Sequence, residues 1–120
     1  MLSVPPAMRV FLAAQPTDMR RSFDGLVALT RSALLQDPLS GHLYAFINRR
    51  RTMMKAVYWD RNGYCLLAKR LEKGTFVLPV APDTGAIEME AVDLTLLLEG
   101  IDLSNARRRP RWAPSAAWAK

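Results

Sequence analysis

The sequence predicts an α+β domain: an antiparallel meander sheet of four to five strands, packed by one amphipathic helix, with a second helix near the C-terminus. Three patterns predict this fold class. Short apolar runs alternate with tight turns between residues 42 and 80, and apolar residues recur at helical spacing between residues 23 and 34. In addition, residues 90–99 are rich in leucine and end before a glycine.

The predicted strands are short and are rich in β-branched, aromatic or leucine residues. They cover residues 8–14, 43–47, 53–59, 64–70 and 75–78. Alternate turns of a meander lie at the same end of the sheet, so the strand order also predicts where the loops lie. We expect the loop at residues 49–51 and the turn at residues 72–74 to share one end, and the turn at Asn62-Gly63 to lie at the other.

The turn at Asn62-Gly63 is the strongest local signal for a hairpin, because both residues tolerate the positive φ of a type I′ turn. A two-residue turn at these positions would place Lys55 directly opposite Arg70. Like charges across neighbouring strands destabilise a sheet, so such a pair is easier to understand if an anion normally sits between them. The later turn, at residues 72–74, has Gly74 at the position that needs a left-handed conformation.

Helical signals flank this strand-rich region. Pro16 ends the first strand, and Thr17 or Asp18 can cap the helix that follows. The apolar face of that helix should pack on the sheet. Its members are Phe23, Leu26, Val27, Thr30 and Leu34. The second helix covers about residues 90–99, and its predicted inward-facing residues are Val92, Leu96 and Leu97.

Length and composition are typical of one globular domain. The chain has 120 residues, of which half are apolar, and this is enough for a core. We expect a single domain at residues 1–104, followed by a basic and flexible tail at residues 105–120. No apolar run approaches the ~20 residues that a membrane span requires, and the N-terminus lacks a secretory signal pattern. The single Cys65 excludes an intrachain disulfide and fits a cytoplasmic location.

The net charge of +6 is distributed unevenly along the chain. Residues 42–80 hold eight Lys or Arg against two acids, whereas residues 81–104 hold six acids and no base. The tail adds five further positive charges. Segregation of this kind favours a polyanionic partner such as DNA, although a membrane surface would select a similar pattern.

Several motifs give the chain a resemblance to a known family. The sequences TDMR at residues 17–20 and SFDGL at residues 22–26 resemble the opening motif of the TnpB-type (second open reading frame) accessory protein of the insertion sequence 66 family. The match continues, in the family's order, at Asp37-Pro38, Ser40-Gly41, Asn48-Arg49-Arg50-Arg51, Lys55, Tyr58-Trp59-Asp60, Gly63, Cys65-Leu66, Lys69-Arg70-Leu71-Glu72, Gly74, Phe76 and Pro79. The resemblance covers about residues 8–103. One departure is Arg61-Asn62, which lengthens the glycine-rich turn usual in the family.

This resemblance implies a small protein that is encoded beside a transposase in a bacterial mobile element and is required for efficient transposition. The family is not known for a catalytic activity, and it differs from the much longer RNA-guided nucleases that share the name TnpB. The transposase of the same element is the implied partner. The molecular role is left open.

The residues themselves argue against an enzyme. Two-metal strand transfer requires about three converging carboxylates, and Asp18, Asp24 and Asp60 are better explained as a helix cap, a helix-surface residue and a hairpin residue. Cys65 lies in an apolar strand with only the distant His42 available as a base. No Gly-rich phosphate loop is present. We therefore expect no catalytic residue, no metal site and no cofactor.

The basic cluster is the remaining candidate site. We expect it to bind DNA phosphates non-specifically through Arg49, Arg50, Arg51, Lys55, Lys69, Arg70 and Lys73. About four such contacts would give a slope near −3.6 when log affinity is plotted against log salt concentration. Alternatively, these cations form a solvated rim of the sheet. The sequence contains neither a helix-turn-helix pattern nor a zinc finger, so nothing supports sequence-specific binding.

A competing function is a protein-interaction adaptor. In this case the acidic segment at residues 88–102 and the sheet edge would dock on the transposase, or on a second copy of the chain, without direct DNA contact. The segregated positive and negative segments could pair across a homo-oligomer as easily as within one fold. Tyr44, Tyr58 and Trp59 are candidates for stacking on bases, but aromatic residues in strands are more often core residues.

Overall fold

Residues 8–79 and 82–99 are described by the computed structural model, and they form a mixed five-stranded sheet with one helix on each face. In chain order the elements are β1 (Arg9–Ala13), α1 (Phe23–Ser32), β2 (Leu43–Ile47), β3 (Met53–Asp60), β4 (Gly63–Arg70), β5 (Ala86–Glu90) and α2 (Ala91–Leu98). The α+β prediction is confirmed, and both predicted helices are present. The glycine expected to end the second helix, Gly100, and the predicted tail at residues 105–120 lie outside the described residues.

The strand order across the sheet is β4-β3-β2-β1-β5. The antiparallel meander is shorter than the predicted four to five strands, because only β2, β3 and β4 pair antiparallel in sequence, and the sheet as a whole is mixed. β1 pairs parallel with β2, because α1 and the turn after it carry the chain back to the end at which β1 began. β5 pairs antiparallel with β1. The edge strands are therefore β4 and β5.

The predicted strand at residues 75–78 is not observed. The chain has no regular secondary structure there and does not pair with any strand of the sheet. Instead, the Phe76 N–H donates to the Arg51 carbonyl at 2.7 Å, and the Phe76 side chain is buried. The apolar run that predicts a strand is explained by this single buried ring.

The fifth strand is β5, which the sequence pattern does not predict. Two of its five residues are Glu88 and Glu90, and acids are depleted in strands. The alternation is nevertheless that of a strand, since Ile87 and Met89 pack in the core while Glu88 forms an ion pair with Arg9. Its place at the edge of the sheet explains why the acidic residues are tolerated.

The turn of the β3–β4 hairpin lies one residue before the predicted Asn62-Gly63. Asp60 pairs with Gly63, so Arg61 and Asn62 form the turn. Arg61 adopts the positive φ, at 54°, and the Asn62 N–H donates to the Asp60 carbonyl. Gly63 is paired within β4, so the turn does not depend on the conformational freedom of a glycine.

The shift of the turn by one residue changes the strand register by two. Lys55 lies opposite Ala68 rather than opposite Arg70, so the predicted Lys55–Arg70 pair is wrong. Side-chain packing accounts for the observed register, because Trp59 lies directly opposite Tyr64 and their rings meet edge to face with centroids 5.1 Å apart. No anion is needed between like charges in this register.

Helix α1 begins after its predicted caps. Ser22 occupies the N-cap position, and its side chain makes no capping hydrogen bond. Thr17 and Asp18 lie in the loop after β1 and do not cap the helix. The Thr17 N–H instead donates to the Ile47 carbonyl at 2.9 Å, which fastens this loop to the end of β2.

The predicted apolar face of α1 packs on the sheet, with Leu26, Val27 and Thr30 buried. Leu34 is also buried, although it follows the end of the helix. Phe23 is the exception at 42% exposed, because it is the first residue of the helix.

Helix α2 lies near its predicted position, and of its predicted inward-facing residues Leu97 is buried and Leu96 is half-buried, but Val92 is not. Leu94 and Leu97 are buried, whereas Val92 is 55% exposed. A capping box between Glu90 and Asp93 fixes the first turn of the helix. The start of the helix therefore determines which residues face the sheet, and the prediction for Val92 is wrong.

The sheet separates two apolar cores. The core beneath α2 contains Val10, Leu12, Leu43, Ala45, Ile47, Met54, Ala56, Phe76, Met89, Leu94 and Leu97, with Ala91 buried at the start of that helix. The core beneath α1 contains Leu26, Val27, Leu34, Tyr44, Phe46 and Val57. Strand β2 is buried along its whole length because it contributes to both cores.

Candidate nucleic-acid interface

Three loops and residues 82–85, which precede β5, meet at one end of the sheet, which we call the basic end. The strand pairing requires that β1, β2 and β4 finish at this end and that β3 and β5 begin there. The loops are residues 14–22, residues 48–52 (the arginine loop) and residues 71–79 (the crossing segment). The topology confirms the prediction that the loops at residues 49–51 and 72–74 share one end of the sheet.

The side-chain amide of Asn48 holds the arginine loop in shape. Its Oδ1 accepts hydrogen bonds from the N–H groups of Thr52, at 2.9 Å, and of Met53, at 3.1 Å. Its Nδ2 donates to Thr52 Oγ1 at 3.1 Å. The Arg51 N–H donates to the Asn48 carbonyl at 3.0 Å, and Arg51 adopts a φ of 60°. The backbone that carries the three arginines is therefore fixed by its own hydrogen bonds.

The crossing segment is attached to the arginine loop by backbone hydrogen bonds. The Leu71 N–H donates to the Thr52 carbonyl at 2.8 Å, and the Phe76 N–H donates to the Arg51 carbonyl at 2.7 Å. The Phe76 ring is 1% exposed and packs in the core beneath α2. Lys73 lies in the turn between these two attachment points. Gly74 in the same turn adopts a φ of 78°, the left-handed conformation predicted for it.

Four of the seven predicted cations are exposed at the basic end and make no side-chain hydrogen bond or ion pair with residues 8–79 or 82–99. They are Arg49, Arg50, Arg51 and Lys73. Arg70, at the end of β4, binds Glu72 with Nε 3.0 Å from Oε2. Both of these side chains are largely exposed, so the pair contributes at most about 1 kcal/mol. Arg70 therefore remains available to an incoming anion.

The other two predicted cations, Lys55 and Lys69, are engaged within the fold. Lys55 Nζ donates to the carbonyl oxygens of Met19, at 2.7 Å, and of Arg21, at 2.8 Å. Lys69 Nζ donates to the Leu98 carbonyl at 2.5 Å, at the C-terminal end of α2, where the helix dipole favours a cation. Five of the seven residues therefore keep side chains that donate to no backbone carbonyl, whereas Lys55 and Lys69 fasten the fold, although Lys69 is also exposed.

Two arginines that the sequence prediction omits also belong to the basic end. Arg20 and Arg21 follow β1, in the loop that Lys55 fastens to β3. An open groove of about 420 Å³ separates this loop from the arginine loop, and Pro16, Thr17, Asp18, Met19, Asn48, Arg49 and Arg50 line it. Arg21 is exposed, and its positive charge adds to that of Arg20 in lowering the pKa of Asp18. The sequence could have indicated these two arginines, because they end the run TDMRR at residues 17–21. A charge count restricted to residues 42–80 leaves them out.

Arg20 is held by Asp18 in a two-pronged ion pair. Its Nε lies 3.1 Å and 3.0 Å from the two carboxylate oxygens, and its second guanidinium nitrogen lies 2.6 Å from Oδ2. The hydrogen bonds from the Arg20 side chain, and then from its backbone N–H, lower the pKa of Asp18 to about 2. Asp18 thus neutralises one arginine of the basic end and shapes the loop after β1.

We expect the Asp18–Arg20 pair to make stability depend on acid pH. A carboxyl group whose pKa is lowered on folding stabilises the fold above its ordinary pKa of 3.8, and this contribution is lost as pH falls through about 2. The difference in melting temperature between the wild type and Asp18→Asn should therefore be largest above pH 4 and close as pH falls. Arg20→Gln removes the same pair and should give the same pattern, whereas a gap that stays constant with pH would contradict it.

Among residues 8–79 and 82–99, no group of three or more His, Cys, Asp or Glu side chains is placed to hold a metal ion. Asp18 is ion-paired, and Asp60 lies at the opposite end of the sheet, 3.7 Å from Arg61 Nε. Cys65 is half-buried opposite Tyr58, and burial, followed by a hydrogen bond with Cys65, raises the pKa of Tyr58. In the same residues, no helix is both long and apolar enough to cross a membrane.

The three aromatic residues considered for base stacking are not at the basic end. Tyr44 is fully buried, and its hydroxyl group lies 2.6 Å from Ser40 Oγ and donates to the Asp37 carbonyl at 2.9 Å. Trp59 packs against Tyr64 near the hairpin turn, and Tyr58 precedes it on β3. None of these three rings is therefore placed to stack on a base at the basic end.

Comparison with known proteins places the chain in a family. The family described as "IS66 Orf2 like protein" matches residues 8–108. The uncharacterized protein y4jC of Sinorhizobium fredii (strain NBRC 101917 / NGR234) is 38% identical over 115 residues, which cover 96% of this chain and 97% of that protein. The uncharacterized protein y4hO of the same organism is 37% identical over 108 residues, which cover 90% of this chain and 91% of that protein. No solved structure matches the chain. The chain belongs to the IS66 Orf2-like family and is an insertion-sequence accessory protein.

Proposed function

We propose that the protein assists transposition as a non-catalytic factor that binds DNA through the basic end. The observation that supports this most is the convergence of exposed cations on two loops that backbone hydrogen bonds hold together. Arg49, Arg50, Arg51 and Lys73 have no anionic partner in the described residues. Self-repulsion among such charges destabilises the fold, and a polyanion bound across them relieves it.

The contact we propose is with phosphates rather than with bases. Arginine is suited to this role because its planar guanidinium group can donate two hydrogen bonds to one phosphate. Four contacts correspond to a salt slope of about −3.6, and engagement of Arg21 and Arg70 as well would bring it to about −5.4. Binding of this kind is independent of sequence, so the transposase would supply any recognition of the element's ends.

We expect one substitution in the arginine loop to reduce the salt slope by about 0.9, because one phosphate contact is lost. The variant is Arg50→Gln, and the matched control is Arg61→Asn, which removes one exposed cation at the opposite end of the sheet. Asparagine tolerates the positive φ at that turn position. Fluorescence anisotropy with an unrelated duplex, measured between low and moderate salt, gives both slopes.

Two results would contradict DNA binding at the basic end. The first is the absence of wild-type binding at low salt. The second is an equal change of slope in Arg50→Gln and Arg61→Asn, which would show that only net charge matters. An unchanged slope in the control and a reduced slope in Arg50→Gln support the proposal.

A second candidate function is an adaptor that docks on the transposase, or on another copy of the chain, without touching DNA. An apolar groove of about 540 Å³ beside the end of α1 favours it. Leu35 lines this groove, is 79% exposed, and adopts a φ of 56° that is unusual for a large side chain. If Leu35→Asn abolishes co-purification with the transposase but leaves DNA binding intact, the groove serves as the adaptor surface.

A further inference from the structure

One edge of the sheet is open in the part of the chain that the structure describes. β4 is the first strand of the order β4-β3-β2-β1-β5, and its eight residues exceed the five or six that are usual for a strand. It pairs with β3 at every residue, so it contains no bulge, and it contains no proline. Residues 64–68 carry no charge. β4 therefore lacks most of the features by which edge strands avoid pairing with another chain.

The hydrogen bonds to β3 show which backbone groups face the open edge. The Leu71 N–H donates to the Thr52 carbonyl, and hydrogen-bonded residues alternate along an antiparallel pair. Residues 69, 67, 65 and 63 therefore bond to β3, and the residues between them point their N–H and carbonyl groups outward. Within residues 8–79 and 82–99, these outward groups make no hydrogen bond. They belong to Tyr64, Leu66, Ala68 and Arg70.

We propose that β4 pairs antiparallel with β4 of a second copy of the chain, about a two-fold axis at Leu67. In this symmetric register every outward residue meets an outward residue of the other copy. Tyr64 lies opposite Arg70 of the second copy, and Leu66 lies opposite Ala68 of the second copy. The two sheets then form one continuous sheet, and a contact of this symmetry closes as a dimer.

The side chains of β4 are compatible with this register. Like charges directly opposite each other destabilise a sheet, and no such pair arises here. Arg70 faces Tyr64, so its guanidinium group can lie against the ring. Lys69 faces Cys65, and Leu67 meets Leu67 of the second copy at the axis. The apolar middle of the strand is thus covered by the same apolar residues of the other chain.

Each end of the proposed interface is close to neutral. The strands run antiparallel, so the end of β4 in one copy lies beside the hairpin turn of the other. Lys69 donates to the carbonyl that precedes Glu99, and Arg70 binds Glu72. Four basic and three acidic groups meet there, so net repulsion is small. They are Lys69, Arg70, Lys73, Glu72 and Glu99 from one copy, and Asp60 and Arg61 from the other.

The opposite edge of the sheet is less suited to pairing with itself. β5 has only five residues, and symmetric pairing about its middle residue would place Glu88 against Glu88 of the second copy. Pairing of β4 with β5 would join basic and acidic edges. Such a contact repeats without closing, however, and would produce assemblies that grow with concentration. The β4 edge is therefore the surface that we assign to a closed dimer.

The proposed dimer has a consequence for DNA, which rests on the DNA binding proposed above. Antiparallel pairing puts the two basic ends at opposite ends of the joined sheet, separated along the strands by about 26 Å for eight residues at ~3.3 Å each. One dimer can therefore hold two duplexes. Beads that carry one duplex should retain a second, labelled duplex in the presence of the wild type, and a variant that cannot dimerise should lose this retention.

The first test measures the oligomeric state of the full-length protein by sedimentation velocity over a dilution series. The wild type should form a species of twice the chain mass of 13.5 kDa. Ala68→Pro should raise the dissociation constant of the dimer at least about tenfold, because each copy loses one outward N–H donor. The monomer should keep its fold, since this N–H does not bond to β3, and circular dichroism checks this. Ala68→Thr keeps the N–H and is the matched control.

The second test examines the register by disulfide cross-linking. Directly opposite residues that are not hydrogen-bonded have Cα atoms about 4.5 Å apart, which is within the range of a disulfide. Leu67→Cys, combined with Cys65→Ser, should therefore give a covalent dimer when a mild oxidant such as diamide is added. In the wild type, each Cys65 would lie about 14 Å along the strands from its counterpart, at ~3.4 Å per residue. The wild type should not cross-link.

The outcomes separate the dimer from DNA binding. A wild type that stays monomeric at the highest concentration reached, or that forms ever larger assemblies, would overturn the dimer. Equal dissociation constants in Ala68→Pro and Ala68→Thr would also overturn it, and so would cross-linking through Cys65 instead of residue 67. If the wild type dimerises but binds no duplex at low salt, the proposed DNA binding fails while the β4 interface stands.

Discussion

Replacing Phe76 with alanine should lower the free energy of unfolding by about 3–5 kcal/mol, the loss usual for a buried aromatic side chain. The ring is 1% exposed and belongs to the core beneath α2. Removing it takes away apolar contacts and leaves a cavity that the sheet and helix cannot fully close. Urea unfolding followed by circular dichroism measures this loss through the shift of the midpoint.

The same substitution tests whether Phe76 anchors the crossing segment. Val77→Ala is the matched control, because Val77 is the adjacent residue but is only half-buried, and we expect a loss of about 1 kcal/mol or less. Hydrogen exchange of the Leu71 and Phe76 amides should accelerate in Phe76→Ala beyond the change expected from global stability. Equal losses in the two variants would contradict the anchoring role.

Phe76 also shows why part of the fold could not be predicted from the sequence. The run TFVL has high strand propensity, and propensity alone cannot distinguish a paired strand from an irregular segment that buries one ring. The choice is made by a hydrogen bond from Phe76 to the carbonyl of Arg51, which is distant in sequence. The Arg51 carbonyl can be identified as the hydrogen-bond partner of Phe76 only when both loops are placed at the same end of the sheet.

Elements with strong local patterns were predictable. The bounds of β2 agree with the structure, because a short apolar run lies between a glycine turn and a polar loop. The core face of α1 follows from helical spacing of its apolar residues. β5 was not predictable in this way, since Glu88 and Glu90 obscure the alternation of Ile87 and Met89. Its pairing with β1 depends on long-range contacts rather than on local preference.

The candidate site was predictable as a region and not residue by residue. Strand order places the two basic loops together, and this requires no knowledge of side-chain contacts. Charge counting cannot show that Lys55 and Lys69 donate to backbone carbonyls on opposite faces of the sheet, because those carbonyls belong to residues far away in sequence. Charge counting over residues 42–80 also leaves out Arg21, which lies at the basic end because its loop follows β1.

Asn48→Ala should weaken both the fold and the proposed DNA binding. Loss of the side chain removes three hydrogen bonds that close the arginine loop, and we expect a decrease of about 1–3 kcal/mol in the free energy of unfolding. Three arginines would then have to be ordered when DNA binds. Because fixing the backbone of one residue costs roughly 1–2 kcal/mol, we expect affinity to fall roughly tenfold or more.

The salt slope separates two effects on DNA affinity: that of the shape of the arginine loop and that of its charge. Asn48→Ala keeps every cation, so its slope should equal that of the wild type although its affinity is lower. Asn48→Asp keeps the two acceptor bonds to the Thr52 and Met53 N–H groups, so its stability should stay within about 1 kcal/mol of the wild type. The added carboxylate offsets one cation of the loop, and the slope should fall by about 0.9. A reduced slope in Asn48→Ala would contradict this, because it would show that the arginines of the altered loop had lost phosphate contacts.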